Sequence, residues 1–138
     1  MRYRLFLMAL SVALMAGCEH AERSKSTASH SEGLAQSTSN PTAQGMIKRN
    51  ADADLFQWNG IVYVNASDIE WVQEADLTPG KSVGIIKKTY EAGIAFEDGM
   101  ATKLPVHTEV FEPIKKNGLI LIVKVHDKEI RYLGLVEG

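Results

Sequence analysis

The feature that most constrains this chain is Asn59-Gly60, set between two runs of strand-forming residues, Leu55-Phe56-Gln57-Trp58 and Ile61-Val62-Tyr63-Val64. A two-residue connection between antiparallel strands favours a type I′ turn. That turn needs positive φ at both positions, and Asn followed by Gly meets the need best. Counting outward from the turn pairs Trp58 with Ile61 and Phe56 with Tyr63. Those four side chains share one face, and Leu55, Val62 and Val64 lie on the other. Both faces are apolar, so the hairpin is expected to be covered on both sides.

The chain continues in the same manner. Asn117-Gly118 leads into Leu119-Ile120-Leu121-Ile122-Val123-Lys124-Val125, a run apolar in both registers, as in a central strand buried on both faces. A turn at 126–128 returns the chain, with Ile130, Tyr132, Gly134 and Val136 alternating against Arg131, Leu133 and Leu135. Residues 81–88 hold Val83, Ile85 and Ile86. A turn at Asp98-Gly99 separates Phe96 from Met100, and a short run at 108–111 is closed by Pro113. One helix is expected from 68 to about 74 or 75. Ser67 and Glu70 stand at capping-box spacing, Ala66 and Trp71 at the staple positions, and Pro79-Gly80 stops the helix. This pattern predicts a mostly β fold: a small antiparallel barrel or sandwich of about seven strands with one short helix.

The head of the chain is different. Met1-Arg2-Tyr3-Arg4 is basic, and residues 5–16 are an apolar stretch of 12. A membrane-crossing helix needs roughly twenty residues, so the stretch fits the apolar core of a secretory signal. It ends in Leu14-Met15-Ala16-Gly17-Cys18, which resembles the lipobox of bacterial lipoproteins, with Met15 where Leu is usual. The resemblance covers the first eighteen residues. It implies cleavage before Cys18 and a diacylglycerol on the Cys18 sulfur. The sequence has one cysteine, so an internal disulfide is ruled out. Two acyl chains anchor a protein stably where one binds reversibly. Glu19, rather than Asp, follows the cysteine; by family analogy this does not hold the protein in the inner membrane of a two-membrane cell. The implied location is the extracytoplasmic face of the cell membrane, or the outer membrane in a Gram-negative source.

Residues 19–46 then change composition: of 28 residues nine are Ser or Thr, with one Pro and two Gly. Such a segment buries too little apolar surface to offset its ordering entropy and reads as a disordered tether. As a coil it spans about 30 Å. The organisation expected is therefore a signal peptide at 1–17, a lipidated Cys18 and tether at 18–46, and a β domain at 47–138. With the signal removed, 13 basic residues face 17 acidic ones. That balance points away from nucleic acid and gives no reason to expect anionic lipid as a partner.

Four further segments carry a second resemblance. They are Asn50-Ala51-Asp52-Ala53-Asp54, Ile69-Glu70-Trp71-Val72, Ala101-Thr102-Lys103-Leu104-Pro105-Val106-His107-Thr108-Glu109-Val110-Phe111-Glu112, and Lys128-Glu129-Ile130-Arg131-Tyr132-Leu133-Gly134-Leu135-Val136-Glu137-Gly138. They are similar to small lipoproteins of Bacillus-like, Gram-positive bacteria, in which a Leu-Pro-x-Gly-Thr turn precedes an aromatic strand. His107 stands here where Gly is usual. The resemblance covers most of 50–138 and implies no activity.

Candidates for chemistry are few. Ser67 and Ser82 are the serines of the folded part; the first reads as a helix cap and the second lies in no nucleophile motif. Asp52 with Asp54 would share a strand face, which suits a cation, and Glu97 with Asp98 falls in a tight turn. His126, Asp127 and Glu129 have ligand-type side chains in a turn, with His107 eighteen residues away. His20 and His30 lie in the tether. Phe56, Trp58, Tyr63 and Trp71 would either build the core or line a groove for peptide or sugar. Asn65-Ala66-Ser67 matches a glycosylation pattern by chance. No catalytic, cofactor or metal set stands out, and Cys18 alone is assigned a role. The expected function is a non-enzymatic binding or interaction module held by lipid, with an envelope protein, peptide or glycan as partner. The alternative is a small cell-envelope hydrolase or a metal-binding lipoprotein.

Replacing Cys18 with Ala is expected to abolish acyl labelling and leave the precursor uncut after Gly17. Labelled lipid persisting on the variant would refute the assignment.

Overall fold

The computed structural model describes residues 39–137. The expected signal peptide, Cys18, His20 and His30 lie outside the described residues. The fold is mostly β. Helix α1 (Ala43–Arg49) precedes a hairpin of β1 (Leu55–Trp58) and β2 (Ile61–Asn65). Helix α2 (Glu70–Glu74) follows, then β3 (Pro79–Ile85), β4 (Lys88–Thr89), β5 (Met100–Ala101), β6 (Glu109–Pro113), β7 (Ile120–Val125) and β8 (Lys128–Leu135). The eight strands form one sheet in the order β3-β6-β7-β8-β2-β1-β5-β4. All neighbours are antiparallel except the short parallel pair β4–β5. The sheet curls into a half-barrel.

The hairpin register is as the Asn-Gly turn requires. Phe56 pairs with Tyr63 and Trp58 with Ile61, and Asn59 and Gly60 take φ of 50° and 75°. The β7–β8 turn has the same two-residue geometry without glycine: Val125 pairs with Lys128, and His126 and Asp127 take φ of 48° and 64°. His107 has φ 72°, in a turn closed by the Thr108 N–H donating to the Pro105 carbonyl at 3.2 Å. A histidine thus holds a left-handed backbone position that favours glycine.

Both faces of the sheet are covered, for two different reasons. The concave face buries itself through the curl, gathering Phe56, Tyr63, Ile86, Leu104, Val110, Leu121, Val123 and Tyr132. Phe56 stacks on Tyr63 at 5.3 Å and meets Tyr132 edge-on at 5.0 Å. The convex face is covered by helices. Val72 and Leu77 of the α2 region lie over Ile120 and Ile122, and Ala43 of α1 lies over Leu55 and Val62.

The structure corrects three details of the sequence reading. First, α1 crosses the expected tether boundary at Met46. Ala43 is buried beneath the sheet, Thr42 caps the helix by accepting the Gly45 N–H at 3.1 Å, and Asn40 accepts the Glu137 N–H at 3.0 Å. The folded part therefore begins before Ile47 and holds two helices. Low local hydrophobicity hid the first, whose burial depends on a strand face distant in sequence. Second, Ser67 does not cap α2. Its N–H and Oγ both donate to Asn65 Oδ1, at 2.9 and 2.6 Å, and the helix starts later, at Glu70, with Ile69 as the uncapped flanking residue. Third, Trp71 is no staple; it is half exposed, and Val72 is the residue that docks the helix.

A helix of five residues cannot hold itself together. Arg131, on the convex face of β8, supplies what α2 lacks. Its Nη1 donates to the carbonyls of Val72, Gln73 and Ala75, the latter two at 2.9 Å each. These are the oxygens a helix leaves unpaired at its C-terminus, and a cation there also meets the negative end of the helix dipole. Arg131→Met keeps the stem and removes the donors. It is expected to lower stability by about 1.5–3 kcal/mol and to speed amide exchange in α2. An unchanged denaturation midpoint would show that Val72 packing alone holds the helix.

Candidate functional site

One end of the sheet gathers several chain ends. Gly134 N–H donates to the Leu119 carbonyl at 2.6 Å, and Ile120 pairs with Leu133, so the start of β7 lies beside the end of β8. Val62 pairs with Leu135, which brings the Asn59-Gly60 turn to this end. Pro79 pairs with Pro113, which adds the start of β3 and the end of β6. A cleft of about 390 Å³ opens here, lined by Trp58, Ile61, Tyr63, Val83, Leu119 and Leu121, with Asn59, Glu112 and Lys116 on its polar side. Lys116 and Glu112 are ion-paired at 3.3 Å.

At two places in and beside the cleft wall a side chain lies directly on a glycine backbone. The Trp58 indole reaches across the interior from β1 to β3, and any Cβ at Gly84 would strike its ring. At Gly134 a Cβ would fall 2.9 Å from the Leu119 side chain and 3.0 Å from the Tyr63 ring. Glycine at these two positions lets the aromatic walls lie flat against strands.

The expected aromatic set divides. Phe56 and Tyr63 are core, with the Tyr63 ring also facing the cleft; Trp58 lines it; Trp71 is on the surface away from it. The carboxylate pairs divide too. Asp98 accepts the Gly60 N–H at 2.9 Å and a Gln57 side-chain N–H at 3.0 Å, so it braces the hairpin turn. Asp54 accepts the Tyr132 hydroxyl at 2.9 Å and the Asn65 amide at 2.7 Å, while its expected partner Asp52 is exposed. Ser82 lies exposed on β3.

His107 and His126 reach the same end of the β6–β7 pair, two residues beyond the matched Glu109 and Lys124. Both are exposed, and Glu129 faces Lys124 at 3.8 Å. Among the described residues no three His, Cys, Asp or Glu side chains gather around a point that would hold a metal, and no helix is long and apolar enough to cross a membrane.

The Tyr132–Asp54–Asn65 chain was not legible in sequence, since Tyr132 and Asp54 are 78 residues apart. Tyr132 is fully buried. Burial first, then the Asp54 charge and its hydrogen bond, push the phenol far above the usual tyrosine range, so the hydroxyl remains a donor at neutral pH. Burial alone raises Tyr63 as well.

Comparison with known proteins gave no matching family model, no similar curated protein and no similar solved structure.

The folded-state pKa of Tyr132 lies above its unfolded value of about 10. Its contribution is therefore complete below pH ~10 and lost as pH rises beyond that. Tyr132→Phe is expected to be less stable than the parent at neutral pH and to show a shallower alkaline fall. Equal alkaline slopes for the two proteins would assign the fall to other groups.

Proposed function

We propose that this protein is a lipid-anchored, extracytoplasmic binding module that takes an apolar group of its ligand into the Trp58–Tyr63–Leu119 cleft. The observation that carries the reading is the composition of the cleft wall. Aromatic and aliphatic side chains line it, and its two charged groups, Lys116 and Glu112, neutralise one another. Such a surface gains free energy by desolvation and fixes orientation through a few polar groups. The serines and histidines that would serve a hydrolase stand elsewhere: Ser67 is bound to Asn65, and His107 and His126 sit in exposed turns away from the cleft. Attachment at Cys18 gives the module its place at the membrane. It follows from the lipobox resemblance and is supported by the apolar stretch of residues 5–16.

The test is complementation of a deletion strain under an envelope stress that the intact gene relieves. Leu119 is 37% exposed, so Leu119→Asp is expected to keep the melting temperature, keep lipidation and fail to complement. The double variant His107→Ala, His126→Ala is expected to complement fully. The reverse pattern would favour acid–base or metal chemistry over binding.

A further inference from the structure

The end of the sheet that carries the cleft also carries an amphipathic tip. The β6–β7 connection reads Ile114-Lys115-Lys116-Asn117-Gly118-Leu119. Ile114 is 74% exposed, the highest value among the large exposed apolar side chains, and Leu119 is exposed beside it. Lys115 and Lys116 project from the same loop and are exposed. Gly80 packs against the backbone of Ile114, where a Cβ would come within 3.0 Å of its nitrogen, and this sets the exposed Lys81 next to the tip. Val136, another exposed apolar side chain, follows the end of β8 at the same end. Apolar side chains at the tip with lysines around them suit the boundary between headgroups and acyl chains.

The chain leading back to Cys18 enters at this same end. Asn40 is bonded to Glu137, two residues beyond the last residue of β8, and the start of β7 is bonded to that strand's end through Gly134 and Leu119. One lysine of the tip is matched by an acid and two are not. Glu112 is ion-paired to Lys116. Asp98 is held by the hairpin turn, exposed Asp76 precedes β3, two residues before Thr78, whose carbonyl accepts the Ile114 N–H, and Glu137 lies beyond β8. Lys115 and Lys81 have no acidic partner among the described residues within ion-pair distance.

We propose that this end of the half-barrel docks on an anionic lipid surface, with Ile114 and Leu119 entering the interface and Lys81 and Lys115 facing lipid phosphates. The overall acidity of the chain, which argued against such a partner, is a sum over the surface; the tip is locally basic. Docking rests on the lipid-anchor reading, because the acyl chains hold the domain close enough for a weak patch to act.

The experiment uses the lipidated protein. Its single cysteine is consumed by the lipid, so Ile114→Cys supplies a unique thiol for an environment-sensitive fluorophore, and His126→Cys supplies a control at the opposite end. Each labelled protein is floated with vesicles of phosphatidylcholine, with or without phosphatidylglycerol. The expected result is a blue shift at position 114 on anionic vesicles only. Added salt and the double variant Lys81→Glu, Lys115→Glu should abolish it, and position 126 should not shift. No shift at 114 on anionic vesicles with which the protein floats would overturn docking and leave the anchor standing. Failure to float would overturn the anchor, and docking with it. A shift at 114 without vesicles that grows with protein concentration would overturn docking in favour of a second copy on this face.

Discussion

Strand β3 and strand β4 occupy opposite edges of the sheet, yet only Ile86 and Lys87 separate them in the chain. Two residues cannot cross a flat eight-stranded sheet, whose neighbouring strands lie about 4.8 Å apart, so the sheet must curl until its edges nearly meet. The hydrogen bonds show the crossing. Ile86 N–H donates to the Thr108 carbonyl at 2.9 Å and its carbonyl accepts from His107 at 2.8 Å, both on the β6 side; Lys87 N–H then donates to Gly99 at 2.8 Å, on the β5 side. Register shifts along β3 supply the bend, since an extra residue on one strand sharpens local twist. Ile86 is fully buried at the crossing, and burying such a side chain stabilises by about 1.5–3 kcal/mol.

The remaining architecture follows from that curl. The concave face needs no second layer, because Trp58 reaches across to Gly84 and Phe56, Tyr63 and Tyr132 fill the space between. The convex face gains nothing from the curl and needs the two short helices, each held by one specific device. Thr42 starts α1, and Arg131 finishes α2. Polar groups buried by this arrangement are paired: no buried side-chain nitrogen or oxygen among the described residues lacks a hydrogen-bond partner. Buried Tyr132 donates to the half-buried Asp54, linking the last strand to the entry of the first.

A half-barrel closed by side chains has two unlike ends. At one, tight turns carry His126, Asp127 and His107 in left-handed conformations, where side chains point to water. At the other, small residues at 84 and 134 let aromatic walls part into a cleft, and the strand termini bring an exposed, basic and apolar loop beside the point where the chain enters from its N-terminal side. The binding proposed for that second end draws on the apolar lining of its cleft.

Local pattern was enough for the hairpin, its register, the two-faced burial of the 120–125 run and the mostly β class, because turn chemistry and side-chain alternation act between residues close in sequence. Asn59-Gly60 forces its turn whatever surrounds it. The sorting of aromatics was not local. Phe56, Trp58, Tyr63 and Trp71 have similar chemistry, and only the curl decides that the first is core, the second a cleft wall and the last a surface residue. The partners of Arg131 and Asp54 lie more than 50 residues away, in the carbonyls that end α2 and in the buried phenol of β8. The start of the domain was misplaced for the same reason: α1 has little hydrophobicity of its own, and the value of burying Ala43 exists only once Leu55 and Val62 offer a face. Hydrogen-bonding partners and burial are properties of the packed sheet, whereas turns and alternation belong to the chain before it packs.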